Sequence, residues 1–164
     1  MATINLMPIR ILNQDGVDGV RYTGLGEEAS QTYVEGAPLV YDGSSQEGEE
    51  WAGGTDATLI TGIAAADATG TAGSKQPYYE ANDYNLFVGN FMNGTSDLEL
   101  TAAHLDTDYS LLKQTNGEWT VDQSDTSTKL VHVIRPAPGS AIGDTNARVV
   151  FRFLTGVQAD VEDA

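Results

Sequence analysis

The chain contains no cysteine, so neither disulfides nor thiolate metal sites can be part of its design. Basic residues are scarce: 8 lysines and arginines stand against 24 carboxylates, a formal charge of −16. Nucleic-acid affinity rests on cations that neutralise phosphates, so that class of partner is excluded, and anionic lipid surfaces with it. No apolar run approaches the roughly 18 residues a membrane helix needs. The first residues, MATINLMPIRIL, lack the basic start, apolar run and small-residue cleavage site of a secretory signal. The expectation is a protein made in a cell's cytoplasm and used there or released on lysis. Helix periodicity is also missing, since apolar residues alternate where a helix would repeat them at three and four.

What remains is glycine, alternation and acid. There are 18 glycines in 164 residues, enough for one domain with its own core. Strands are expected over 32–41 (with a bend at 36–38), 57–64 and 85–92, the last ended by Asn93-Gly94. The pattern continues over 98–104, 109–113, 118–121, 130–134 and 147–154, with Asn116-Gly117 as a tight hairpin. In the last of these Val149, Phe151 and Phe153 share one face, and Arg148 and Arg152 the other. Short strands between regular turn signals predict an all-β fold, a small β-barrel or β-tulip/sandwich.

The ends read differently. Residues 1–30 are expected to be an extended N-terminal arm and linker, 31–157 a β-rich domain, and 158–164 an acidic tail. The arm carries Ile4, Leu6, Met7, Pro8, Ile9, Ile11 and Leu12, and Pro8 favours an extended path. Such a segment either adds to a neighbouring molecule's sheet edge or is the first strand of the chain's own sheet. Charge is uneven too: residues 31–110 hold a net −12 with Lys75 as their only base, whereas 111–164 hold −2 with five bases. That acidity serves solubility or salt adaptation, or docks a positively charged protein surface.

The stretch TGIAAADATGTAGSKQPYY (61–79) begins like a phosphate cradle, but the hydroxyl of Ser74 precedes Lys75, and Pro77 denies the loop a following helix. Only His104 and His132 exist, without metal-ligand spacing, and Asp106-Thr107-Asp108 lacks the glycine and glutamate of a calcium loop. Adventitious calcium among the carboxylates is the residual metal reading. No nucleophile elbow occurs, so neither catalytic nor cofactor-binding nor metal residues are assigned and no enzyme is expected. Asn93-Gly94-Thr95 matches a glycosylation sequon and is read as a turn.

The order of features does resemble a family. YVEGAPLVYDG, then TLITGIAAADATG, NLFVGNFM, YSLLKQTNGEWTVD, LVHVIRP and ARVVFRFL look like the decoration, or cement, proteins of tailed-bacteriophage heads. The resemblance spans roughly 31–156 and is a layout of turns and strands. It implies a β-barrel or β-tulip with an extended arm, a virion location on the capsid surface, the major capsid protein as partner, and a homo-oligomer, with a trimer favoured. The alternative is a carbohydrate- or receptor-binding β-domain, with Tyr33, Tyr41, Trp51, Tyr78, Tyr79, Tyr84 and Trp119 as stacking platforms, against core packing as their ordinary use.

Overall fold

A computed structural model describes residues 6–12, 21–42, 45, 47–53 and 59–158. The fold is nearly all β, as expected, and consists of a closed five-stranded barrel and a second five-stranded sheet. The strands are β1 (Arg10–Ile11), β2 (Arg21–Gly26), β3 (Pro38–Asp42), β4 (Glu47–Glu50), β5 (Ile60–Ala64) and β6 (Lys75–Glu80). They continue with β7 (Phe87–Met92), β8 (Thr107–Lys113), β9 (Trp119–Asp122), β10 (Val131–Pro136) and β11 (Arg148–Phe153).

The barrel runs β7-β11-β10-β8-β9 and closes because β9 pairs in parallel with the end of β7, Phe91 opposite Val121. Its interior is aromatic: Phe87, Phe151 and Phe153 lie 5.5 to 6.0 Å apart, and Phe91 meets Tyr109 edge-on at 4.9 Å. These side chains alternate with outward residues, which is how one strand serves both a core and a surface. The second sheet runs β2-β6-β5-β3-β4, and a parallel bridge between Glu27 and Gly48 draws its two edges together. Both sheets feed one hydrophobic core, from Leu39 and Ile63 on one side to Val149 and Phe153 on the other.

Two glycines explain local paths. Gly36 turns the chain into β3 at φ +91°, and a Cβ there would stand 2.6 Å from the Ile9 nitrogen. Gly62 lets β5 approach β6 so closely that any side chain would strike the Tyr79 carbonyl.

The strand expectations over 85–92, 109–113, 118–121, 130–134 and 147–154 match β7 to β11, and Asn116-Gly117 does form the β8–β9 hairpin, with Gly117 at φ +89°. Differences lie elsewhere. Segment 32–41 is a strand only from Pro38, because the turn at Gly36 interrupts it. Segment 98–104 is an irregular connection with one 3-10 turn (Ala102–His104). Within the span expected as arm and linker, Arg10–Ile11 pairs with β7 and Arg21–Gly26 is a strand paired with β6, while residues 1–5 and 13–20 of it lie outside the described residues. Leu25 and Glu27 are buried. Glycine and aspartate made this stretch look like a linker, yet strand pairing places no demand on side chains where a neighbour comes close, as Gly48 does over Leu25.

Candidate functional site

The N-terminal segment lies along the outer edge of β7, where β1 and β9 share one strand edge: Arg10 pairs with Val88, and Val121 with Phe91. Among the residues expected to form a capsid-binding arm, Ile9 is 1% exposed and belongs to the main core. Ile11 packs against that core, and Leu12 against a smaller outer cluster of Val88, Ala137 and Val150. Leu6 and Pro8 are half-buried, while Met7 is exposed. Ile4 lies outside the described residues. Arg10–Ile11 is a strand of the chain's own sheet. Arg10 pairs with Glu35 at 3.5 Å, and Met7 N–H donates to Asn90 Oδ1 at 3.1 Å. Beside Arg10, Glu118 is held above the usual carboxylate range by burial first, then by Glu35 and Asp67.

The glycine-rich loop that resembles a phosphate cradle does cradle an anion, and the anion is internal. Glu27, 1% exposed, accepts from Thr69 N–H and Thr69 Oγ1–H at 2.9 Å each and from Gly70 N–H. Its backbone holds the same loop through Ser74 and Gly73. Lys75 opens β6 opposite Gly26. Tyr33 is 2% exposed, and its hydroxyl is pushed up to about 12 by burial and by the nearby Glu27 and Glu50.

Glu50 joins the two sheets. It accepts from Lys113 Nζ at 2.6 Å and from Trp119 Nε1–H at 2.9 Å, beside the Trp51–Trp119 ring contact at 5.4 Å. Asp122, 2% exposed, accepts from Gly94 N–H at 2.7 Å and from both donors of Ser124, which fixes the Asn93-Gly94 turn.

Both histidines serve the fold. His104 Nδ1 accepts from Thr101 N–H at 3.1 Å, and its ring packs on Phe91. His132 stands between two carboxylates, Asp108 at 2.7 Å and Asp106 at 3.0 Å, the latter at φ +55°. These residues border an open depression of about 1000 Å³, next to Lys129, which lies 5.7 Å from the centre of the Tyr109 ring. Each charged group there is engaged by another of the same set. Among the described residues, no cluster of three or more His, Asp or Glu is arranged to hold a metal, and no helix is long and apolar enough to cross a membrane.

The outer face of β10–β11 is what sequence reading passed over. Arg135 stands opposite Val150, and His132 opposite Arg152, so with Arg148 they share the face turned away from the aromatic core. The alternation in ARVVFRFL located Arg148 and Arg152. Arg135 joins them only because Ile134 is an extra residue, a bulge that shifts register between Val133 and Arg135.

Tyr33, Trp51, Tyr78 and Trp119 are core residues, and Tyr41 and Tyr79 pack half-buried against them. Only Tyr84, 89% exposed, is placed as a stacking platform would be. Of the seven rings named for stacking, one is therefore exposed in the way a sugar platform needs.

No family model, curated protein or solved structure matches the chain. Assignment therefore rests on the residues themselves.

Proposed function

We propose that this chain is a structural virion protein that decorates a tailed-phage capsid and stabilises the mature head across coat-subunit joints. The observation that carries this reading is the union of an acidic, glycine-turned all-β body with an extended N-terminal segment along its outer edge, Met7 on the surface. The layout of turns from 31 to 156 supports it through the resemblance. The chemistry required is shape, a short apolar contact and charge. A protein that binds joints of the assembled lattice and not free subunits stabilises the lattice by mass action. Symmetry repeats each weak contact, and repetition supplies avidity.

Among the described residues before Ile9, Met7 is the exposed one and is the contact this reading assigns to a neighbour. Removing residues 1–14 would take Ile9 out of the core, whereas removing residues 1–7 leaves it. Co-sedimentation with expanded capsids and with unassembled coat protein tests the reading. Binding to capsids, weakened by removal of residues 1–7 and absent for free coat subunits, is the expected result. Equal binding to both forms, or none to capsids, rejects it.

A further inference from the structure

The chain has two Asn-Gly pairs, Asn93-Gly94 and Asn116-Gly117, and the fold treats them differently. In such a pair the glycine nitrogen can attack the asparagine side-chain amide, because no Cβ shields that nitrogen and the backbone there bends freely. Both asparagines are exposed, and both glycines have positive φ, +62° at Gly94 and +89° at Gly117. Sequence and exposure therefore do not separate the two.

The acceptor of the glycine N–H does. Ring closure requires that nitrogen to lose its proton and leave the group that holds it. Gly94 N–H donates to Asp122 Oδ1 at 2.7 Å, and Asp122 is 2% exposed. A hydrogen bond to a carboxylate is roughly twice as strong as a neutral one, and the buried negative charge opposes an amide anion beside it. The rest of that turn is clamped as well. Asn93 and Ser96 exchange backbone hydrogen bonds at 3.2 and 3.0 Å, and the Gly94 carbonyl accepts from Gln114 Nε2–H at 3.1 Å. At Gly117 the acceptor is a neutral backbone carbonyl, that of Gln114, at 2.9 Å. Asn116 Oδ1 accepts from Glu118 N–H at 3.2 Å, which folds the side chain back over the Gly117 peptide and polarises its carbonyl.

We propose that Asn116 is a site of spontaneous covalent modification, converting through a cyclic imide to aspartate and isoaspartate, while Asp122 preserves Asn93. The Gly117 nitrogen gives its proton to solvent and bonds to Asn116 Cγ. The Cγ–Nδ2 bond breaks, and ammonia departs with a proton from water. A second water then opens the five-membered ring. Breaking the new Cγ–N bond leaves aspartate in an ordinary backbone. Breaking the bond between that nitrogen and the Asn116 backbone carbonyl carbon leaves isoaspartate, with the chain running through Cβ. Either product places a carboxylate near Glu118, on which Glu35 and Asp67 already act and whose Oε2 is buried with no hydrogen-bond partner among the described residues. Isoaspartate also lengthens the β8–β9 hairpin by one methylene, next to the strand that closes the barrel against β7. This inference stands apart from the capsid reading and needs only the purified chain.

Site-resolved peptide mass spectrometry of the full chain, held at pH 8.5 and 37 °C for four weeks, is the test, with isoaspartate read by enzymatic methylation. Asn116 is expected to accumulate both products, isoaspartate in excess, at a rate at least tenfold above Asn93. In denaturing guanidinium chloride at the same pH the two sites should convert at similar rates, since the fold alone distinguishes them. Asp122→Asn keeps the shape of the acceptor and removes its charge, and should speed Asn93 several-fold, with circular dichroism reporting that the variant is folded. The wild-type comparison decides the matter whether or not that variant folds. An Asn116 that keeps its amide in the folded chain, an Asn93 that converts as fast there, or a gap between the sites that persists in denaturant overturns the proposal, as does a folded Asp122→Asn chain in which Asn93 is no faster.

Discussion

Glu27 is a buried carboxylate whose acceptors are spent on Thr69 and Gly70, two residues at the mouth of the glycine-rich loop. Removing it leaves three donors without their acceptor. Glu27→Ala is expected to lower unfolding free energy by about 2–3 kcal/mol, read from denaturant midpoints. Added formate, a carboxylate able to accept from the same three donors, should recover part of the loss; no recovery would mean the loop does not hold an anion. Tyr33 gives a pH dependence of known sign. Its folded pKa is raised to about 12, above the ordinary value of 10.0, so folding favours its neutral form. The associated stability is complete below pH 10 and lost as pH rises toward 12, about 2–3 kcal/mol in all. Ultraviolet titration of phenolate should find one tyrosine ionising together with alkaline unfolding, and Tyr33→Phe should remove that step.

At the scale of elements, the N-terminal strand is held by a two-residue ladder and by charge. Arg10 is the base that faces Glu35 and lies near Glu118. Arg10→Ala should speed amide exchange over residues 9–12 several-fold in hydrogen–deuterium exchange, with β7 to β11 unchanged. Equal protection in the variant would show that apolar packing alone seats the strand. Most strands were legible because alternation such as Val149, Phe151, Phe153 is a direct imprint of a one-sided core. β4 was not, because EGEE has no apolar alternation: Gly48 lies over Leu25, and Glu50 reaches across to Lys113 and Trp119. β2 was read as linker for a similar reason. Pairing partners far along the chain decided both, and no local pattern records them. The same holds for the arginine face, which depends on the bulge at Ile134.

For the whole molecule, a charge of −16 on a body of 164 residues opposes compactness by self-repulsion. Screening relieves it. The melting temperature should rise by several degrees between 20 mM and 500 mM salt, as measured by scanning calorimetry. A falling or flat response would mean that favourable ion pairs, not repulsion, dominate the folded state.

The edge of β7 shared by β1 and β9 has a consequence in time. Arg10 and Ile11 meet partners at Val88 and Phe87, almost eighty residues later, and closure by β9 comes later still. On a growing chain the strands between 21 and 80 can assemble first, and the N-terminus waits, its apolar residues uncovered, until β7 emerges. Long-range pairing of this kind is slow because loop closure precedes its reward. In refolding, pulse-labelling hydrogen exchange should find residues 9–12 protected after β3, β5 and β6, so that the first residues made are among the last to settle.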